Sequence, residues 1–196
     1  MRYELFNRLN TGGTSLTDQE IRNCIFRGVD ASFNKLLENV AQEKLFKDLV
    51  QPTRKQEQTL YMQELALRFM SLLEPDPEFK ESFIKEYMTA FMKKSVHNGF
   101  SPSLKDQFME VLTLLKEIGP SVFRFQGSAF STSLFDAITV GIARNMDTVK
   151  SLGTNEIQER VEALKVDPDF RKLTGSAASG KTRVLSRISL GVGHFS

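Results

Sequence analysis

Two short stretches carry the residue types that phosphate chemistry needs. Gly175-Ser-Ala-Ala-Ser-Gly180-Lys181-Thr182 satisfies the pattern GxxxxGK[ST], in which backbone amides and a lysine cradle the phosphates of a nucleotide. Its surroundings fit less well. The preceding DPDFRKLT is no buried strand, and the 14 residues after Thr182 leave no room for the strands and acidic magnesium ligand of such a domain. The other reading is a flexible Gly/Ser loop running into a helix. The second stretch is Asn10-Thr11-Gly12-Gly13, whose glycines expose backbone amides just before a helix start, with Arg22 and Arg27 close behind. An anionic group would suit that arrangement. A plain helix-turn-helix connection, with Arg22 paired to Glu20 or a neighbour, suits it equally, because tight turns need glycine for geometry alone.

Other chemistries find less. His97 and His194 are the two histidines, far apart and without Cys or acidic neighbours at ligand spacing, so no metal site is expected. Asp76, Glu78 and Lys80 hold the letters of a nuclease acid cluster but crowd around Pro77 at a helix start, where acids favour the helix dipole. Cys24 shares a helix face with Ile21 and Ile25, so a buried, unreactive thiol is expected. No catalytic residue is assigned.

The elements that must position these residues are helical. Apolar residues recur at helical spacing almost throughout, and strict alternation is scarce, which predicts an all-α, compact multi-helix domain covering residues 1–196. Leu5, Phe6 and Leu9 end a first helix. Thr17-Asp18-Gln19-Glu20 is a capping box opening the next, with Gly28 as its stop. Apolar stripes predict helices at about 30–49, 54–73, 77–95 and 102–118, then 134–146, 155–165 and 169–173, with a basic amphipathic segment after Gly180. The phenylalanines on these stripes read as core, and the three in the small-residue loop at 119–133 as tucked against it.

Composition sets the outer bounds. The 196 residues are 40% hydrophobic and 26% charged, enough for a hydrophobic core and unlike a disordered chain. The net charge of +2 excludes wholesale attraction to nucleic acid or membrane. From Arg171 onward there are five basic residues and no acidic one, leaving 21 basic against 24 acidic before it. Lys181, Arg183 and Arg187 of this basic tail could meet phosphate, or form a solvated helix end. One cysteine excludes an intrachain disulfide, and no 18-residue apolar run or charged-then-apolar leader is present. A cytoplasmic protein without membrane contact is expected.

The run RYELFNRLNTGGTSLTDQEIRNCIFRG at 2–28 closely resembles the signature of the bacterial family known for the N-terminal domain of GmrSD-type, modification-dependent restriction endonucleases, related to ParB-like proteins. FNKLLENVA at 33–41, FRF at 123–125, LFDAITVGIARN at 134–145 and TRVLSRI at 182–188 look like the helical remainder of stand-alone members. Members carry an upstream ParB-like α/β region with an Asp-Gly-Gln-Gln-Arg motif, associated with nucleotide binding or hydrolysis and DNA-directed activity. That motif is absent here, as is the His-Asn-His nuclease domain some members append. The resemblance therefore implies the C-terminal helical half of a larger defence protein, with no cofactor of its own and no catalysis alone. DNA, and a ParB-like half or partner subunit, are the implied partners, and the nucleotide belongs to the intact family. Asn10, Thr11, Gly12, Gly13, Glu20 and Arg22 are the residues it places near the ParB-like site. A scaffolding role fits them as well. The rival readings are an interaction module with an open apolar face around Tyr3 to Leu9, and a nucleotide-binding protein using Gly175 to Thr182.

Overall fold

Why the apolar run at 30–49 cannot be one helix is visible from its own periodicity. Phe33, Leu37, Val40 and Ala41 fall on one side of an ideal helix, whereas Phe46, Leu49 and Val50 fall on the opposite side, yet all seven are buried. The computed structural model, which describes residues 16–73, 79–175 and 178–196, resolves the conflict by breaking the chain at Glu43 (φ −59°, ψ 124°). Two helices result, Ser32–Gln42 and Lys44–Val50, each turning its own apolar face inward.

Among the described residues the chain forms twelve α-helices: α1 (Asp18–Arg27), α2 (Ser32–Gln42), α3 (Lys44–Val50), α4 (Arg54–Gln58), α5 (Tyr61–Leu73), α6 (Ile84–Asn98), α7 (Leu104–Leu115), α8 (Thr132–Arg144), α9 (Met146–Lys150), α10 (Thr154–Val166), α11 (Pro168–Lys172) and α12 (Lys181–Phe195). A 3-10 turn at Gly119–Phe123 precedes α8. Two isolated bridges, Phe83 to Gly180 and Arg124 to Phe130, are the β-pairing within the same residues. The all-α expectation holds. No helix among the described residues is long and apolar enough to cross a membrane.

The capping box forms as expected: the Glu20 amide donates to Thr17 Oγ1 at 3.3 Å while Glu20 Oε2 accepts from the Thr17 amide at 2.7 Å. The segment at 54–73 again divides, at Leu60, whose φ of +57° lies in the left-handed region. The split separates α4, which buries no residue, from α5, in which every residue from Met62 to Leu73 except Glu64 is buried. A helix buried all round is a core element rather than a surface stripe.

α5 and α8 form the centre. Around them the rings of Phe46 and Phe108 lie 4.9 Å apart, Phe69 and Phe108 4.7 Å, and Phe123 and Phe135 5.2 Å. The phenylalanines of the stripes are therefore core, except Phe83 of the 77–95 stripe, which is exposed. α8 and α12 make the most extensive helix pairing, and glycine permits it: a Cβ on Gly191 would stand 2.2 Å from the Ala137 carbonyl oxygen. Asn145 ties the pair further, its side-chain amide donating to the carbonyls of Gly141 at 2.9 Å and Val192 at 3.0 Å. Two arginines close helix ends whose carbonyls lack intrahelical donors. Arg124 donates to Leu49 O at 3.2 Å and Val50 O at 2.6 Å, and Arg144 to Leu73 O at 3.0 Å and Leu72 O at 3.2 Å.

Candidate functional site

Asn10, Thr11, Gly12 and Gly13 lie outside the described residues, as does the stretch Tyr3 to Leu9 expected to end a helix. Their two companions, Glu20 and Arg22, are both engaged within the fold. Glu20 completes the cap, its carboxylate also accepting from the Thr17 hydroxyl at 2.9 Å. Arg22 points inward with 0% side-chain exposure. Its Nε donates to Gln19 Oε1 at 2.9 Å, its Nη1 reaches Lys85 O and Thr89 Oγ1 on α6 at 3.4 Å each, and its Nη2 stands 3.6 Å from Glu64 Oε2 on α5. Arg22 is thus not paired with Glu20. It is the peg that holds α1 to α5 and α6.

This inward arginine decides which face of α1 is buried. Gln19, Ile21, Arg22 and Phe26 are inside, whereas Cys24, expected among the apolar contacts, is exposed. The charged side chain takes the inner face because carbonyl, hydroxyl and carboxylate partners wait for it there and its methylene stem packs like an apolar one.

The GxxxxGK[ST] segment is placed by the start of α6. The Ile84 amide donates to Ser179 O at 3.0 Å and the Lys181 amide to Ser82 O at 2.9 Å, so residues 179–181 are pinned beside Phe83. The Lys181 ammonium donates to the Phe79 carbonyl and lies 5.3 Å from the centre of that ring. Gly175 and Thr182 are exposed, and Gly180 is the extended residue before α12 (φ −68°, ψ 142°). The short helix α11 precedes the segment where a phosphate loop follows a strand. The arrangement engages the lysine and one of the amides that a phosphate would require.

The most concentrated charge chemistry is a buried cluster that spacing alone does not reveal. Arg68 on α5 grips Asp136 on α8 as a two-pronged pair, Nε to Oδ1 at 2.5 Å and Nη2 to Oδ2 at 2.7 Å. Arg187 on α12 approaches the same carboxylate at 3.5 Å and donates from Nη1 to Leu173 O at 3.0 Å and Ala178 O at 2.8 Å. Burial opposes the Arg68 charge, but the Asp136 carboxylate more than offsets this and holds the guanidinium above its ordinary value. Arg187 is pushed below its ordinary value by burial, with Asp136 opposing and Arg68 adding to the effect. Burial likewise raises Tyr61, one turn before Glu64, against a hydrogen bond with Thr132. The clue in the sequence is an aspartate inside the apolar run at 134–146 together with an arginine inside the stripe of α5. Their partnership across 68 positions is not a matter of local spacing.

Arg187 is therefore an interior residue, not a contact of a basic tail. Lys181 is occupied as above, and Arg183 donates to Lys172 O at 3.1 Å. Asp76 and Glu78 fall outside the described residues, and Lys80 is exposed. Among the described residues no group of three or more His, Cys, Asp or Glu side chains is placed to hold a metal ion. Compared with protein-family models, curated proteins and solved structures, the chain matches none.

Proposed function

We propose that this chain is the helical portion of a GmrSD-type defence protein of the cytoplasm, which supports recognition of DNA when joined to a ParB-like half and performs no catalysis alone. The observation that supports this reading is the run at 2–28, whose last helix, α1, is fastened by Arg22 to two central helices. A body built this way serves as a foundation for the Asn10 to Gly13 segment, which precedes α1 in the sequence. Glu20 and Arg22 are then positioning residues: Glu20 fixes where α1 begins and Arg22 fixes how it lies. The nucleotide and its chemistry belong to the partner half. The Gly175 to Thr182 segment does not favour a second reading, since Lys181 already satisfies a carbonyl of its own chain.

Titration of fluorescent duplex DNA with this chain, alone and with a ParB-like half supplied in trans, tests the proposal. The joined form is expected to bind, with affinity falling as salt rises because phosphate contacts release counterions. Absence of any salt-dependent binding in both forms would remove the DNA role. Binding that is lost on Lys181→Ala, and depends on added nucleotide without the partner half, would favour the loop instead.

A further inference from the structure

The exposed end of α6 carries the one Asn-Gly pair of the sequence, Asn98-Gly99. Such a pair has a chemistry of its own. The backbone nitrogen that follows an asparagine can reach the Cγ of that side chain and close a succinimide ring, and glycine has no Cβ to hinder the approach. Whether a fold permits the attack depends on what holds the two groups in place.

Here little holds them. Both residues are exposed. Asn98 is the last residue of α6, and among the described residues the Gly99 amide has no backbone acceptor and the Asn98 side chain no hydrogen-bond partner. The Asn98 carbonyl, past the last turn of helix bonds, accepts none either. Gly99 stands at φ +84°, ψ 171°, a region that glycine enters freely, and a Cβ placed on it would meet nothing within 4 Å. Turning the Asn98 Cα–C bond to bring the amide nitrogen onto Cγ therefore breaks no hydrogen bond. The other described asparagines differ. Asn23, Asn34, Asn39 and Asn155 lie inside helices and precede residues with side chains, and Asn145 engages the Gly141 and Val192 carbonyls.

We propose that Asn98 is a covalent modification site, at which the folded chain converts asparagine to isoaspartate without an enzyme. The Gly99 nitrogen gives up its proton and bonds to Asn98 Cγ, the bond from Cγ to the side-chain nitrogen breaks, and that nitrogen leaves with the proton as ammonia. Water then opens the ring. Opening at Cγ gives aspartate in an unaltered chain. Opening at the main-chain carbonyl frees that carboxylate and leaves the chain running through Cγ, longer by one backbone atom. The added atom falls between α6 and Phe100, whose ring packs on Phe33 of α2 at 5.0 Å. The new carboxylate stands at the C-terminal end of α6, where the helix dipole is already negative. Modification therefore loosens Phe100 from α2. It takes place at the end of α6 away from Lys85 and Thr89, where Arg22 is bound, and does not rest on the DNA reading.

The test incubates the full chain in mildly alkaline buffer, folded and in guanidinium chloride, and follows the tryptic peptide Ser95–Lys105 by chromatography and mass spectrometry. The peptide is expected to gain the mass difference between a hydroxyl and an amino group and to split into aspartyl and isoaspartyl forms. Its rate in the folded chain is expected to stay within about tenfold of the unfolded rate, because the attack has little structure to undo. Asn98→Gln, which would have to close a larger ring, is expected to abolish the change over the same period while melting with the parent chain. Asn98 that stays intact in the folded chain, or another asparagine that converts before it, overturns the site. The aged chain is expected to melt below Asn98→Asp, which carries the same charge without the extra backbone atom. Equal melting temperatures overturn the loosening of Phe100.

Discussion

Arg68 and Asp136 meet in the interior with both guanidinium prongs on both carboxylate oxygens, at 2.5 and 2.7 Å, and Arg187 stands 3.5 Å from the same carboxylate. One carboxylate thus faces two guanidinium groups in the interior. Removing it exposes the imbalance. Asp136→Asn is expected to destabilise the fold by about 3–5 kcal/mol, the usual consequence of stranding a buried charge. Replacing all three, with Met at 68 and 187 and Leu at 136, is expected to restore most of that stability, because an apolar trio carries no desolvation penalty. Urea unfolding of the two variants beside the parent chain makes the comparison. A triple variant as unstable as Asp136→Asn would show that the loss comes from packing, not charge.

The α8–α12 contact is set by backbone rather than by side chains. A Cβ on Gly191 would press to 2.2 Å against the Ala137 oxygen, and one on Gly141 to 2.7 Å against the backbone of Gly191. Backbone cannot swing aside as a side-chain tip can. Gly191→Ala is therefore expected to lose at least ~1–3 kcal/mol, the range for overpacked cores, and Gly141→Ala less. Thermal melts of both variants decide it. A Gly191→Ala variant that melts with the parent chain would mean that the two helices are not held this close.

Arg22 predicts a local effect rather than a global one. Its partners are Gln19 on its own helix, Glu64 on α5 and two acceptors on α6, so Arg22→Ala should free α1 while the α8–α12 centre keeps its packing. Native-state hydrogen exchange is expected to lose about 1–3 kcal/mol of protection in α1, the scale of lost hydrogen bonds to a charged group, with little change in α8. Arg22→Lys should not restore it, since a single ammonium cannot span Gln19, Glu64 and α6 at once. Uniform loss of protection along the chain would contradict this.

What the sequence makes legible is local. The Thr17 cap and the apolar stripes of α7 and α8 follow from propensity and periodicity, and the structure contains them. Periodicity misses the breaks at Glu43 and Leu60, although the opposed apolar faces on either side of Glu43 are themselves a signal for the first. It misassigns Cys24 because polarity alone places arginine outside, whereas Arg22 has partners inside that belong to helices far along the chain. The Arg68–Asp136–Arg187 cluster is hidden for the same reason. Of the candidate site, Glu20 and Arg22 are placed by the fold, and Asn10 to Gly13 rest on the resemblance.

The C-terminal end of the chain carries a pH dependence whose sign can be worked out. His194 Nε2 lies 3.0 Å from Asp167 Oδ2, and Asp167 Oδ1 accepts from the amides of Asp169 at 2.7 Å and Phe170 at 3.0 Å. The His194 hydrogen bond, followed by that from Phe170, holds the Asp167 carboxyl below its ordinary value of 3.8. A carboxyl depressed in the folded state contributes stability that is fully present above the unfolded value and lost as pH falls through the folded one. The loss must therefore come below about pH 4, and it is modest because the pair lies near the surface, where solvent screens it. Asp167→Asn should flatten the acid limb of a stability–pH curve, and His194→Ala should flatten it in part by removing the foremost cause. Carbon-detected NMR titration of the Asp167 carboxyl checks the premise directly: a midpoint at or above that of an unfolded peptide would reverse the sign and sink the prediction.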